Sequence, residues 1–393
     1  MGGGQQGFQA DAILKLQQIA EQRAASGLPV YALVLGESDL PTPGHIVEAG
    51  MAALAAGATR YAPARGTPEL CAAIAAKLAR ENGLNVDPGR ELFVTNGSAL
   101  GILLALRAVT EPGDEVVVSD PTYGPFIDTI RVVGAEPRFA PLRRLDGQLR
   151  WDAGAIEGAL SNHTRVILIN TPSAPSGAVM REQELRVIGE IAVERGLTII
   201  SDEVFEHLIY PPHRHRSIAA LEAAFAARTI SVFSHSKSYR MTGWRLGYTV
   251  APAEISDRFE QLSLATGRLA APFIQAAGVA ALTGPQDCIE AQCQAYARRL
   301  EAVEDRLGQI PNLRWMRPEG AFYIYLDCRA FGSNSSALAQ ELIASSGVVL
   351  TPGTFYGPAG AGWLRLSFAG AFQNTLDGVA ALRVGLDAHI RNA

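Results

Sequence analysis

A lysine and an arginine lie close together in the sequence, beside two serines that could contact the same ligand. The lysine belongs to the segment Ser234-His235-Ser236-Lys237, and Arg245 follows eight residues later. A lysine whose pKa is lowered can form a Schiff base with an aldehyde, and serine together with arginine suits a phosphate group. A single lysine is usually a solvated surface charge, so this interpretation depends on what else lies nearby.

Three more segments place functional groups directly after short apolar runs. Asp202 ends the run LTIISD, where a buried carboxylate needs either a cationic ligand nitrogen or a hydrogen bond from a neighbouring loop. Tyr123 follows EVVVS and could stack on a planar ring or pack against the core. Gly97, Ser98 and Ala99 follow LFVT and open a predicted helix, so they are either an anion site of free backbone amides or an ordinary helix cap.

The candidate residues described above lie at the ends of predicted strands. Strands that are covered on both faces are typically nearly all-apolar, as are the segments 92–95, 115–119, 165–170, 197–202, 229–234 and 246–250. Helical segments between them, such as 98–109 and 181–194, predict an α/β fold with a mostly parallel sheet and crossover helices. Ligands bind beyond the carboxyl ends of such strands. The carboxyl edge of this sheet would thus combine an anion site, an aromatic ring, a carboxylate and a lysine. Together they indicate a ligand that is a planar, phosphorylated, cationic aldehyde, namely pyridoxal phosphate.

A different pattern begins near residue 285 and predicts a smaller α+β unit. It consists of helices at about 286–308, 335–346 and 374–389, and of strands at 322–327, near 348–352 and at 363–368. Upstream, Thr67-Pro68-Glu69 is typical of a helix start, because threonine caps the helix and proline suits its first position.

Composition excludes several classes of protein. The chain has 393 residues, enough for two domains, and 48% of them are hydrophobic, which argues against disorder. A net charge of −5 without a basic stripe gives no support for nucleic-acid or membrane binding. No signal peptide is visible, and the cysteines are scattered, which favours the cytoplasm and argues against a disulfide framework. No metal site is predicted, and the pair His213 and His215 is interpreted as part of a solvated loop.

Five segments also carry a family resemblance. They are LGESDLPTP (35–43), YAPARGTPELCAAIA (61–75), SHSKSYRMTGWRLGY (234–248), PEGAFYIY (318–325) and TPGTFYGPAGAGWLRLSFA (351–369). Together they resemble the class I and II aminotransferases, which are pyridoxal-phosphate enzymes of fold type I similar to aspartate aminotransferase. The resemblance implies a large cofactor-binding domain over residues 44–283, with a sheet wrapped by helices. It also implies a discontinuous small domain formed by residues 1–43 and 284–393.

The resemblance implies a role for each matching residue. Lys237 would form the Schiff base with pyridoxal 5′-phosphate and then move the substrate proton. Asp202 would pair with the protonated pyridine nitrogen, and Tyr123 would stack on the ring. Arg365 would hold the substrate α-carboxylate, with Gly36 nearby.

The implied phosphate site uses groups from several segments and from a second subunit. Its members are the helix start at Gly97, Ser98 and Ala99, together with Ser234, Ser236, Arg245 and Tyr61. Because Tyr61 would reach the phosphate of the other subunit, the resemblance implies a homodimer with shared active sites. Arg268 lies where the family brings residues across that interface, so it would either read a distal carboxylate or pair on the surface.

Two positions depart from the family pattern. Ala174 stands where an asparagine is usual, and Phe205 stands where a tyrosine is usual. The usual residues hydrogen-bond the 3′ oxygen of the cofactor, so we assign that role to neither position. Our hypothesis is that the Schiff base of this protein has a raised pKa, because its protonated nitrogen pairs with an uncompensated phenolate.

The predicted function is therefore transfer of an amino group between an L-amino acid and a 2-oxo acid. One alternative is another pyridoxal-phosphate reaction on the same scaffold, namely elimination, replacement or cyclisation, and the two departures favour it. A second alternative is a ligand-sensing regulator, but no helix-turn-helix is evident beside the aminotransferase-like segments. His235 neighbours the lysine, yet we expect it to face the other side of its strand.

Overall fold

The computed structural model describes residues 10–266 and 270–392 of the chain. Its helices are α1 (Ala10–Ala25), α2 (Gly44–Ala55), α3 (Pro68–Lys77), α4 (Ser98–Val109), α5 (Gly124–Val132), α6 (Ala153–Ala159), α7 (Glu182–Arg195), α8 (Ala223–Ala226), α9 (His235–Ser238), α10 (Ala253–Thr266), α11 (Pro272–Thr283), α12 (Asp287–Leu307), α13 (Ser335–Ser346) and α14 (Phe372–Asn392). Its strands are β1 (Tyr31–Ala32), β2 (Leu92–Thr95), β3 (Glu115–Asp120), β4 (Glu136–Pro141), β5 (Arg143–Leu145), β6 (Gln148–Arg150), β7 (Thr164–Asn170), β8 (Thr198–Asp202), β9 (Thr229–Ser234), β10 (Gly247–Val250), β11 (Arg314–Met316), β12 (Tyr323–Asp327), β13 (Val348–Val349), β14 (Thr351–Pro352) and β15 (Trp363–Ser367).

The central sheet has the strand order β2-β10-β9-β8-β7-β3-β4 and is parallel except for β10. The predicted strands and crossover helices are confirmed, but the sequence did not reveal the direction of β10. A connection between two parallel strands must return the chain from the end of one strand to the start of the next, usually by way of a long helix. Residues 235–246 contain only the short helix α9. The chain therefore stays at the edge where β9 ends, and β10 runs back beside it.

The pairing register brings the functional strand ends together. Asn170 lies opposite Asp202, at the ends of β7 and β8. Gly247, the first residue of β10, lies opposite both Ser234 and Thr95, the last residues of β9 and β2. The carboxyl ends of four parallel strands thus meet the start of β10 at one edge of the sheet.

Helices cover both faces of this sheet, as the all-apolar strands predict. Within β3, Val116 and Val118 belong to the core on the side of α4 and α10, whereas Val117 belongs to the core on the side of α7. This alternation follows from the two-residue period of a strand. Each fully buried side chain of this size contributes about 1.5–3 kcal/mol to folding. The buried side chains therefore stabilise the sheet that carries the functional strand ends.

Local signals set the helix ends near the site. Thr67 caps α3 by accepting a hydrogen bond from the Leu70 amide, and Pro68 is the first helical residue, as predicted. Helix α7 ends at Gly196, whose φ of 68° is a left-handed conformation that glycine adopts without strain.

The remaining segments form a second structural unit. A four-stranded antiparallel sheet has the order β11-β12-β15-β14, and β1 pairs in parallel with β13. Helix α1 packs on α13, whereas α2 packs on α11. These contacts support a small domain built from both ends of the chain, and its boundaries at 43/44 and 283/284 stay predictions. Among the described residues, no helix is long and apolar enough to cross a membrane.

Candidate active site

Lys237 lies on the one-turn helix α9, directly beyond the end of β9. Its Nζ donates a hydrogen bond to the Gly36 carbonyl, and it lies 5.6 Å from the ring centres of both Phe205 and Phe322. Burial, together with the positive charge of Arg365, lowers the pKa of Lys237 to about 8. About a tenth of this amine is therefore uncharged at pH 7, far more than for an ordinary lysine, and this uncharged fraction is a nucleophile.

Asp202 is a buried carboxylate at the end of β8, with 5% of its surface exposed. It accepts a hydrogen bond from the Val204 amide at 3.1 Å, and no described residue gives it a cationic hydrogen-bond partner. Burial raises the pKa of Asp202 to about 7. A carboxylate in this setting is stabilised by a cationic ligand group, such as a protonated ring nitrogen.

An anion cradle lies between the start of α4 and the loop before β10. Gly97 has a φ of 79°, and a side-chain carbon added there would clash with the guanidinium of Arg245. A carbon added at Gly247 would lie 2.8 Å from the Ser98 amide nitrogen. These close approaches place the start of α4 next to the guanidinium of Arg245, and a helix start beside an arginine suits a phosphate.

Two serines and an aromatic ring complete the surroundings. The hydroxyl of Ser234 accepts a hydrogen bond from the Ser236 amide at 3.1 Å and caps α9. Tyr123 precedes α5, and its ring contacts Phe126 edge-to-face with centres 5.1 Å apart. Burial raises the pKa of Tyr123 to about 12, so the ring stays uncharged.

These groups line one cavity of about 350 Å³, a size that suits a small organic cofactor. Most of the predicted site residues form its walls: Gly36, Ser98, Ala99, Tyr123, Asp202, Ser234, Ser236, Lys237 and Arg245. Ala174 and Phe205 also line it, and neither side chain can donate a hydrogen bond. Gly97 lies behind Arg245, outside the cavity wall.

Arg365 lies behind the wall that Tyr323 forms. Only 6% of its surface is exposed, and its Nη2 donates to the Val34 carbonyl at 2.7 Å. Its guanidinium carbon lies 4.1 Å from the centre of the Tyr323 ring, and its buried Nε has no hydrogen-bond partner among the described residues. The cation thus has unused donor capacity next to Gly36 and Lys237.

Tyr61 does not reach this cavity within its own chain. It is 84% exposed and lies in a separate cleft with Leu264 and Pro272. This placement agrees with the expectation that Tyr61 serves a second subunit, which stays a prediction. Arg268 lies outside the described residues.

Other cavity residues were not singled out from the sequence. Asn170 accepts from the Ala174 amide at 2.7 Å and donates to the Asp202 carbonyl at 3.3 Å, so it joins two loops of the site. Its position at the end of an apolar run was a usable signal. Thr242 and Tyr323 also line the cavity. Nothing in the run FYIYLD distinguishes Tyr323 from a core residue.

The histidine interpretations had different outcomes. The solvated loop was wrong for His215, whose Nε2 lies 2.8 Å from the buried carboxylate of Glu203, a contact distant in sequence. His213 is more exposed, as expected. His235 is buried between Tyr239 and Tyr248, away from the cavity wall, and burial lowers its pKa to about 3. Among the described residues, no cluster of three or more His, Cys, Asp or Glu could hold a metal ion.

Comparison with known proteins places this geometry in a family. The family model for aminotransferase class I and II matches residues 30–381. An aspartate aminotransferase of Musicola paradisiaca is 34% identical over 93% of this chain and 92% of its own length. A probable aspartate/prephenate aminotransferase of Aquifex aeolicus is 34% identical over 94% of each chain.

Solved structures agree with the sequence relatives. The aromatic aminotransferase of Pyrococcus horikoshii superposes with a TM-score of 0.88 at 34% identity, covering 94% of this chain and 99% of the other. The fold is therefore that of the fold type I enzymes, as predicted, and pyridoxal 5′-phosphate is the cofactor of this family. The chain belongs to the class I and II aminotransferases and is a pyridoxal-phosphate-dependent enzyme.

Proposed function

We propose that this aminotransferase moves an amino group between an L-amino acid and a 2-oxo acid by means of Lys237. The observation that carries the proposal is that a nucleophilic lysine and a buried carboxylate line the same cavity, and no described residue gives that carboxylate a cationic hydrogen-bond partner. The cofactor fits these residues, because Asp202 suits its ring nitrogen and the cradle at Gly97 and Arg245 suits its phosphate. When bound, pyridoxal phosphate would supply an aldehyde that reacts with amines and a ring that draws electrons from the substrate Cα.

The residues of the chain divide the remaining tasks. Lys237 Nζ is the amine that would hold the aldehyde of the cofactor, and in the presence of the substrate amine it would remove and return the proton on Cα. Asp202 keeps the proton on the ring nitrogen. Tyr123 lies against the cavity and limits the positions of a planar ring. Arg365 attracts the α-carboxylate of the substrate, and Gly36 leaves room for that carboxylate beside the lysine.

Lys237→Ala tests the assignment. The lysines of the chain are Lys15, Lys77 and Lys237, and Lys77 is buried in an ion pair with Glu206 at 2.6 Å. Borohydride reduction followed by peptide mapping should place the cofactor on Lys237 alone. Exposed Lys15 supplies the matched control, Lys15→Ala, which should keep the yellow absorbance. Retention of that absorbance in Lys237→Ala would show that the assignment is wrong.

We also propose that the enzyme is a homodimer and that it is cytoplasmic. Tyr61 is 84% exposed and Leu264 is 62% exposed, and both line a cleft of about 730 Å³. A second copy would cover this apolar surface and bring Tyr61 to its phosphate site. Light scattering should give twice the chain mass, and Tyr61→Phe should lower cofactor affinity without changing that mass. A monomer that binds the cofactor fully would contradict the proposal.

A lyase, replacement or cyclisation reaction is the second candidate function. It is favoured by Ala174 and Phe205, because their apolar side chains line the cavity where hydrogen-bond donors are usual in the family. Candidate amino acids such as aspartate, glutamate, phenylalanine and tyrosine should yield a 2-oxo acid together with pyridoxamine phosphate. Ammonia release without pyridoxamine phosphate would instead support the lyase.

A further inference from the structure

Tyr323 joins the two charged groups that the proposed function needs. It lies on β12 with 3% of its surface exposed. Its ring centre lies 4.1 Å from the guanidinium carbon of Arg365, and its ring also contacts those of Phe322 and Phe205, with centres 4.9 Å and 5.8 Å away. The ring therefore has a fixed position between Arg365 and the cavity.

The hydroxyl of Tyr323 is directed to the same place as the amine of Lys237. A side-chain carbon added at Gly36 would clash with Tyr323 Oη and would lie 3.5 Å from Lys237 Nζ. Both polar atoms thus lie on the side of Gly36 where a Cβ would project. This is also the region in which an α-carboxylate held by Arg365 would lie.

The hydroxyl is a donor that the protein itself does not use. No hydrogen bond joins this hydroxyl to another described residue, and Tyr323 lines the cavity. Because Tyr323 lines the cavity, its hydroxyl is available to donate to a ligand there. Burial also raises the pKa of Tyr323, so the phenol keeps its proton at neutral pH.

We propose that Tyr323 is a further substrate-binding residue, which donates its hydroxyl proton in a hydrogen bond to the α-carboxylate while its ring holds Arg365 in place. This inference rests on the proposed role of Arg365. A carboxylate is the acceptor that best fits, because a hydrogen bond to a charged oxygen is stronger than one to a neutral group. Tyr323 and Arg365 then form one site with two different donors.

The test measures equilibrium binding, separately from turnover. The ligand is whichever of succinate and 3-phenylpropionate the wild-type holoenzyme binds more tightly by calorimetry, with its amide as the uncharged control. Tyr323→Phe keeps the ring on Arg365 and removes the hydroxyl, so we expect the Kd of the acid to rise about tenfold or more. The Kd of the amide should not change, and Tyr323→Leu should weaken acid binding further.

Tyr325→Phe is the matched control, because it removes a hydroxyl from the same strand outside the cavity wall. It should leave the Kd of the acid unchanged. An unchanged Kd in Tyr323→Phe would overturn the inference, and so would a fall in kcat alone, since the hydroxyl would then serve Lys237. If Arg365→Lys also left the Kd unchanged, the proposed role of Arg365 would fail as well. Thermal unfolding of each cofactor-free variant identifies any that fail to fold.

Discussion

Gly36→Ala is expected to strain the active site in a way that a second substitution relieves. The added methyl group would overlap Tyr323 Oη. The next nearest atoms, Lys237 Nζ at 3.5 Å and Tyr323 Cζ at 3.7 Å, are at ordinary van der Waals distances. The clash therefore comes from a single hydroxyl oxygen.

The strain should be large because Tyr323 has little freedom to move. Its ring contacts the guanidinium of Arg365 and the rings of Phe205 and Phe322. Overpacking of such a site typically costs about 1–3 kcal/mol of folding free energy. Tyr323→Phe removes the oxygen and leaves the methyl group in ordinary contact, so the double variant should recover most of that loss.

A double-mutant cycle measures this relief. Chemical unfolding of the cofactor-free wild type, Gly36→Ala, Tyr323→Phe and the double variant should give a coupling free energy of about 1–3 kcal/mol in favour of the double variant. Gly158→Ala is the control, because nothing lies within 4 Å of its added carbon. Its effect should add to that of Tyr323→Phe. Additivity for Gly36→Ala as well, within about 0.5 kcal/mol, would refute the contact and weaken the inference about the hydroxyl.

Three further predictions concern the cofactor groups. Because Ala174 and Phe205 offer no hydrogen-bond donor, the protonated Schiff base should dominate at neutral pH, and Phe205→Tyr should lower the pKa of the Schiff base in a spectrophotometric titration. A dominant unprotonated form in the wild type would contradict this. Folding raises the pKa of Asp202 from 3.8 to about 7, so the cofactor-free protein should lose stability as pH rises between these values, and unfolding curves of Asp202→Asn should lack that loss. Gly97→Ala should weaken cofactor affinity at least tenfold in a fluorescence titration, because it displaces Arg245 and strains a left-handed backbone by about 1–2 kcal/mol. Unchanged affinity would show that the cradle is not the phosphate site.

Much of the site could be predicted because its residues follow apolar runs. An all-apolar strand such as β7 or β8 is covered on both faces, and its last polar residue, Asn170 or Asp202, must lie at the sheet edge. This reasoning needs only the local sequence and the rule that parallel strands end at the same edge of the sheet, where ligands bind. It therefore identified the positions of Lys237 and Tyr123 without any long-range contact.

Other features depend on contacts that a local pattern does not contain. Tyr323 and Tyr325 occupy equivalent places in one apolar run, and only the close approach to Gly36 and the ring contact with the Arg365 guanidinium distinguish Tyr323. His215 follows a run of proline and arginine, and its burial is due to Glu203 from another segment. The direction of β10 likewise depends on how residues 235–246 pack.

The reversed direction of β10 has a consequence for how the cofactor is retained. Lys237 and Arg245 lie on one loop, and both ends of that loop are fixed by the neighbouring strands β9 and β10. The proposed covalent anchor, Lys237, and the proposed phosphate anchor, Arg245, therefore belong to a single local unfolding unit. Loosening of this loop would release both anchors together, so cofactor loss should be an all-or-none event governed by the β9–β10 pairing.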